Sequence, residues 1–127
     1  MNQNKETTTE ITFKNTACTS NCTVRTQEIE EQNPSWNMVK ECLQTMFEYE
    51  DEFVVLTVAD APDGIRFIQA AQIKDGITVQ LGIEGITSTR LVEKTYTEEE
   101  CLEIFQEFCQ SSHVQNIEEY HPVEFMK

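Results

Sequence analysis

Four β-leaning runs, at residues 53–59, 65–73, 77–84 and 89–96, follow one another with links of only a few residues. This spacing constrains the fold more than any other feature, because a parallel crossover needs a dozen or more residues, whereas a tight turn suffices between antiparallel neighbours. The first link reads Asp60-Ala61-Pro62-Asp63-Gly64 and the second Lys74-Asp75-Gly76. Both hold turn-forming residues and a glycine free to adopt positive φ. The runs therefore predict an antiparallel meander. Within the third, Ile77, Val79, Leu81 and Ile83 alternate with Thr78, Gln80, Gly82 and Glu84, which gives the sheet one dry face and one wetter face. The dry face requires a cover.

Two amphipathic helices are placed to supply it. Asn33-Pro34-Ser35 reads as a helix start, with Asn33 able to cap free amides and Pro34 at a position where no amide donor is needed. Trp36, Val39, Cys42, Leu43, Met46 and Phe47 then recur at helical spacing, with Lys40, Glu41, Gln44 and Glu48 opposite. Trp36 reads as a core anchor. The helix should end near Tyr49, where 50–52 place three acids at the unfavourable end of the dipole. The second helix opens at Thr97-Glu98-Glu99-Glu100, a capping box. Its apolar stripe is Cys101, Leu102, Ile104, Phe105, Phe108 and Cys109, and Glu99, Glu103 and Glu107 line an outward face at four-residue steps.

The expected architecture is α+β: an antiparallel meander of about four strands covered on one face by two helices, in one domain whose core spans 33–112. The 127 residues have no room for a second domain. Residues 1–9 are polar and read as a flexible lead-in. Residues 10–30 suggest a hairpin, with Ile11 and Phe13 in one arm, a turn at 19–21 and the other arm at 23–29, which would raise the strand count to six. The tail, 111–127, is expected to lie along the domain edge.

Charge narrows the function. The chain carries a net charge of −14, and from 98 to 127 there are eight acids against one base, Lys127. Such a field repels nucleic acid and anionic membrane and attracts basic proteins. No run approaches the ~20 apolar residues of a membrane span, and the polar start lacks an apolar signal core, so a cytoplasmic setting is the expectation. Like charges four residues apart cost a few tenths of a kcal/mol per pair in an isolated helix. Glu99, Glu103 and Glu107 carry that cost with no lysine or arginine between 98 and 125 to offset it.

The five cysteines are odd in number. Cys42, Cys101 and Cys109 fall at apolar positions of helical patterns and are expected to be reduced and buried. Cys18 and Cys22 form a C-x3-C whose first reading is free thiols and whose second is a bond across a hairpin turn; zinc would need a second ligand pair at suitable spacing. On the first reading, reductant leaves stability unchanged. Catalytic patterns are missing: His113 and His121 are far from any H-x-x-x-H, no serine sits in a nucleophile elbow, and Gly64, Gly76, Gly82 and Gly85 lie in or beside turns and strands rather than in a phosphate loop. Neither catalytic residues, cofactor nor metal are expected, and both histidines read as structural.

Pro34-Ser35-Trp36 opening a helix, the strand Gly-Ile-Arg-Phe-Ile-Gln-Ala-Ala at 64–71, Val-Gln-Leu-Gly-Ile-Glu at 79–84, and Arg-Leu-Val-Glu-Lys at 90–94 leading into an acidic helix together resemble the small acidic immunity proteins of bacterial polymorphic-toxin systems. The resemblance covers 33–127. It implies tight binding to one cognate toxin domain, commonly a basic nuclease, without catalysis. The binding face varies within such families, so no contact residue carries over from them.

The charge pattern and the resemblance lead to one expectation, a binding protein that neutralises a basic partner through an acidic surface, with Glu99, Glu103 and Glu107 as the partner-binding candidates. The protein would be a monomer or weak dimer. Two alternatives come from other classes: an acidic secretion chaperone, favoured by an exposed apolar strip, and a small enzyme built on scattered carboxylates, favoured by a deep pocket.

Overall fold

The expected strands form as β3 (Phe53–Val58), β4 (Ile65–Ile73), β5 (Gly76–Glu84) and β6 (Thr89–Tyr96), each antiparallel to the next. The computed structural model describes residues 18, 21–49, 51–85 and 88–123. Before the meander come β1 (Cys22–Arg25), β2 (Glu30–Gln32) and helix α1 (Trp36–Glu48); after it come helix α2 (Glu98–Ser111), a 3-10 turn at Ile117–Glu119 and the short β7 (His121–Pro122). All seven strands belong to one antiparallel sheet in the order β2-β1-β3-β4-β5-β6-β7.

One row of cross-strand partners shows how the sheet is built. Val24 faces Leu56, Leu56 faces Ile68, Ile68 faces Leu81 and Leu81 faces Val92. All five are buried, because their alternation aims them at the helices. Helix α1 lies over β3 and β4, α2 over β4, β5 and β6, and the helices touch each other. The expected one-sided cover is what forms. On the opposite face Phe67 stands beside Gly82, and a Cβ on Gly82 would lie 2.1 Å from the Phe67 ring. Glycine there lets the ring lie against the β5 backbone.

Two local expectations need correction. The arm expected at 23–29 ends at Arg25 and turns at 26–29 to make the hairpin β1–β2, while the turn expected at 19–21 falls largely outside the described residues: the Thr26 hydroxyl accepts from the amides of Glu28 and Ile29, and the Thr26 amide donates to the Ile29 carbonyl. The proposed arm at Ile11 and Phe13 lies outside the described residues, as does the lead-in at 1–9. Helix α1 is capped by Ser35, whose hydroxyl accepts from the Met38 amide at 3.2 Å. Asn33 instead sits at φ +52, and its side-chain oxygen accepts from the amides of Asn21 and Cys22, which braces β1. As far as Val123 the tail does follow the edge, with β7 against β6 and the Tyr120 and Tyr96 hydroxyls 2.8 Å apart.

The cysteines depart furthest from expectation. Cys42 and Cys101 are free and buried, but Cys109 is joined to Cys18, 91 residues away, and Cys22 is a buried free thiol. The Cys18 amide donates to the Pro34 carbonyl at 2.9 Å, which holds the chain ahead of β1 against the entry to α1. Cys22 points inward with Val24 on the helix side of β1.

Closing a 91-residue loop restricts the unfolded chain, worth about 4–5 kcal/mol on a chain-entropy basis. Reduction, or Cys18→Ser, should lower Tm by roughly 10 °C or more in calorimetry; an unchanged Tm would show that the bond contributes nothing. In the core, Phe105 is fully buried whereas Leu102 is only half-buried. Phe105→Ala should cost about 3–5 kcal/mol in denaturant melts and Leu102→Ala clearly less.

Candidate interaction site on the helix layer

The cap of α2 places its acids. The Thr97 hydroxyl accepts from the Glu100 amide at 3.1 Å, and the Glu100 carboxylate accepts from the Thr97 amide at 3.0 Å, completing the expected capping box. Glu98, Glu99 and Glu100 thus stand at the end of the helix where negative charge is favoured. Glu100 is used by the cap. Burial of Cys101, Phe105, Phe108 and Cys109 turns Glu99 and Glu103 outward, where both are exposed. Among the described residues neither makes a hydrogen bond or ion pair.

Glu107, the third candidate, has other partners. Ser112 ends α2 at φ +58 and turns the chain back, so that one Glu107 oxygen accepts from the Gln115 amide at 3.4 Å and the other lies 3.8 Å from His113 Nε2. His113 Nδ1 is in turn 2.8 Å from an Asp63 oxygen in the β3–β4 link. His113 therefore joins Glu107 to that link, consistent with a structural histidine. Glu107 contributes more to this corner than to an open surface.

Helix α1 enlarges the acidic face. Its Trp36–Asn37–Lys40 end lies beside Glu103 and Gln106 of α2, and its Gln44–Phe47–Glu48 end lies beside Glu98 and Glu99. The helices are therefore antiparallel, and a trough of two adjoining hollows, both lined by Leu102, lies between them. Its wider part, at the Glu48 and Glu98 end, measures 620 Å³. The two helices carry seven glutamates and one base, Lys40, which among the described residues has no acidic partner. Glu48 ends α1 with no basic residue in the last turn to offset the dipole. Among the described residues, the lysine and arginine with acidic partners lie in the sheet: Arg66 with Glu84, and Lys94 with Glu119. The Glu119 bond holds the Lys94 ammonium above its ordinary pKa.

No family model, curated protein or solved structure matches the chain. Among the described residues no group of three or more His, Cys, Asp or Glu side chains is placed to hold a metal ion. A smaller hollow of 230 Å³ lies between the β1–β2 turn and α1, bounded by Ile29, Met38 and Cys42 with Glu28, Glu41 and Glu52 around it. That Leu102 and Phe47 line one hollow escaped the sequence reading, as did the place of Glu48 and Glu98 at the trough's wide end. The matching helical spacings of 36, 40, 44 and 47 with 99, 102, 103 and 106 were the available signal, once the helices were known to be neighbours.

The free thiols are poor nucleophiles. Burial pushes Cys22 and Cys101 up to about 12, the latter helped by Glu98, and raises Cys42 with help from Glu41 and Glu52. A raised pKa keeps a thiol protonated, and only the thiolate reacts. At pH 8 the native, oxidised protein should show almost no reaction with iodoacetamide; denaturant should release three thiols, and reductant all five. Of the three, Cys42, beside the hollow, should react first. Rapid native labelling of Cys22 or Cys101 would contradict the burial argument.

Proposed function

We propose that this chain is an immunity-type binding protein that neutralises a basic partner, a cognate toxin domain, by covering the partner's cationic surface with its acidic helix layer. The observation that carries the reading is the uncompensated charge on α1 and α2, seven glutamates to one lysine, with Glu99 and Glu103 free of internal partners among the described residues. Acids bound up in internal ion pairs would favour a merely solvated face. The resemblance over 33–127 adds the class of partner. A domain that grips phosphate through lysine and arginine is the complement of such a surface, and its approach would be steered by charge. The reading assigns no catalysis to the chain.

Among the described residues no helix is long and apolar enough to cross a membrane. The proposed setting is the cytoplasm, and the Cys18–Cys109 bond bears on it. Such bonds persist in oxidising compartments and are reduced in most cytosols. A chain acting in the cytoplasm would work as its five-thiol form, whose stability the reduction experiment measures.

One observation favours the chaperone alternative. Among the described residues, the large apolar side chains that stand exposed, Ile29, Tyr49 and Ile73, belong to the end of the sheet where β3 begins. A chaperone would use that end to hold an unfolded effector segment, so Ile29→Ser with Ile73→Ser separates the readings: it weakens a chaperone and leaves an acidic-face inhibitor intact.

The direct test looks beside the gene of this chain for an encoded toxin domain and measures its binding and inhibition. Glu99→Lys with Glu103→Lys should reduce the association rate by about tenfold or more at low salt and flatten its salt dependence. Glu107→Lys should act mainly by disturbing the 112–115 corner, seen as lowered Tm. Unaltered affinity and salt slope in the folded double variant would remove this face from the interface.

A further inference from the structure

We infer that the trough between α1 and α2 seats a helix of the basic partner, an amphipathic segment whose apolar stripe rests on Leu102 and Phe47 and whose lysines or arginines meet Glu48, Glu98, Glu99 and Glu103. The inference rests on the reading of the chain as a binder of a basic protein, and it adds the form and direction of the bound segment.

Shape is the first argument. Both walls are helices, they run antiparallel, and the hollows at the two ends adjoin at Glu99 and Leu102, which line both. Helix α1 has 13 residues, which at 1.5 Å each makes the trough roughly 20 Å long, the length of a partner helix of three to four turns. A helix laid in such a trough sets an i, i+3, i+4, i+7 stripe against two ridged walls at once. An extended segment would meet no free sheet edge here, because the walls' backbone groups are already bonded within helices.

The floor supplies the second argument. Leu102 and Phe47 are packed against the core yet only half-buried, since each also faces the trough. Apolar floor and acidic rim together select a segment that is both apolar and basic, rather than a free cation.

Charge fixes direction. The wide end gathers Glu48, Glu98 and Glu99, while the only base, Lys40, stands toward the Trp36 end. A bound helix has a positive N-terminus and a negative C-terminus. Its N-terminal turn and most of its bases therefore lie at the Glu48 and Glu98 end, and its C-terminal carbonyls toward Lys40.

The test uses three synthetic fourteen-residue amidated peptides: lysine and leucine with the leucines in a helical stripe, the same composition with the stripe scrambled, and the striped form with glutamate for lysine. Backbone amide shifts of the full chain map contact, and the emission of Trp36, the single tryptophan, reports the narrow end. The striped peptide should bind saturably, shift residues of α1 and α2 that line the trough, and weaken as salt rises. The scrambled peptide should bind about tenfold more weakly, the loss expected when an anchoring stripe is broken, and the acidic one should not bind. A nitroxide at the N-terminus of the striped peptide should broaden Glu48 and Glu98 more than Trp36. Leu102→Ser should weaken the striped peptide alone, and Glu99→Lys, on the exposed face and safe for folding, should weaken both basic peptides. Glu30→Lys on β2 should leave binding as it was. Equal binding of striped and scrambled peptides, both lost in Glu99→Lys, would overturn the helical seat and leave the basic-partner reading standing. Absence of binding by either basic peptide at low salt would overturn both.

Discussion

The buried row running from Val24 through Leu56, Ile68 and Leu81 to Val92 is the contact on which the other features depend. It exists because five strands agree on which side their alternate residues face, and a one-residue slip in any of them would send apolar side chains to the other face. Two short helices can cover this row only by lying side by side, α1 toward β3 and α2 toward β6. Their mutual contact is thus a product of the sheet's width. So is the trough, which is the space left on the outer side of two cylinders that rest on a common floor.

This arrangement separates charge without any special device. Residues 53–97, which make the meander, are nearly balanced, with four bases and five acids, so the excess of acid falls on the segments that become helices and ends. Folding gathers two of those segments on one side. The repulsion is tolerated because Glu98, Glu99 and Glu100 gain from the start of α2, and because the buried side of each helix supplies far more free energy than a few surface repulsions remove. Glu48 has no such offset. It stands beside Glu98 at the unfavourable end of the α1 dipole, where a nearby cation would relieve both repulsions.

Much of the fold was legible in the sequence. The meander could be read because alternation and glycine-bearing turns coincide at 60–64 and 74–76, and the start of α2 because Thr97 and Glu100 satisfy each other's amides. Strand β2 could not be: Glu30, Glu31 and Gln32 have no strand-like side chains, and they pair because the Thr26 turn returns the chain alongside β1. Asn33 looked like a cap, but the backbone there turns left-handed and hands the role to Ser35. The outward aim of Glu99 and Glu103 followed from four-residue spacing alone. The engagement of Glu107 did not, since it depends on the left-handed turn at Ser112 that brings Gln115 and His113 back. The partner of Cys109 lies 91 residues away, in a stretch without periodicity to place it.

The bond between Cys18 and Cys109 also changes what a break in the chain would mean. Everything from β1 through nearly all of α2 lies inside one covalent ring. A protease that cuts a single peptide bond in the 59–64 link or near Gly85 opens the ring without dividing it into two molecules. The pieces remain tethered, with the strands of the sheet still beside their neighbours, so that rejoining costs little entropy. Oxidised, the protein can therefore lose the continuity of its backbone at an exposed link and keep its acidic helix layer assembled. Once reduced, a nicked chain would hold together only through its sheet and core.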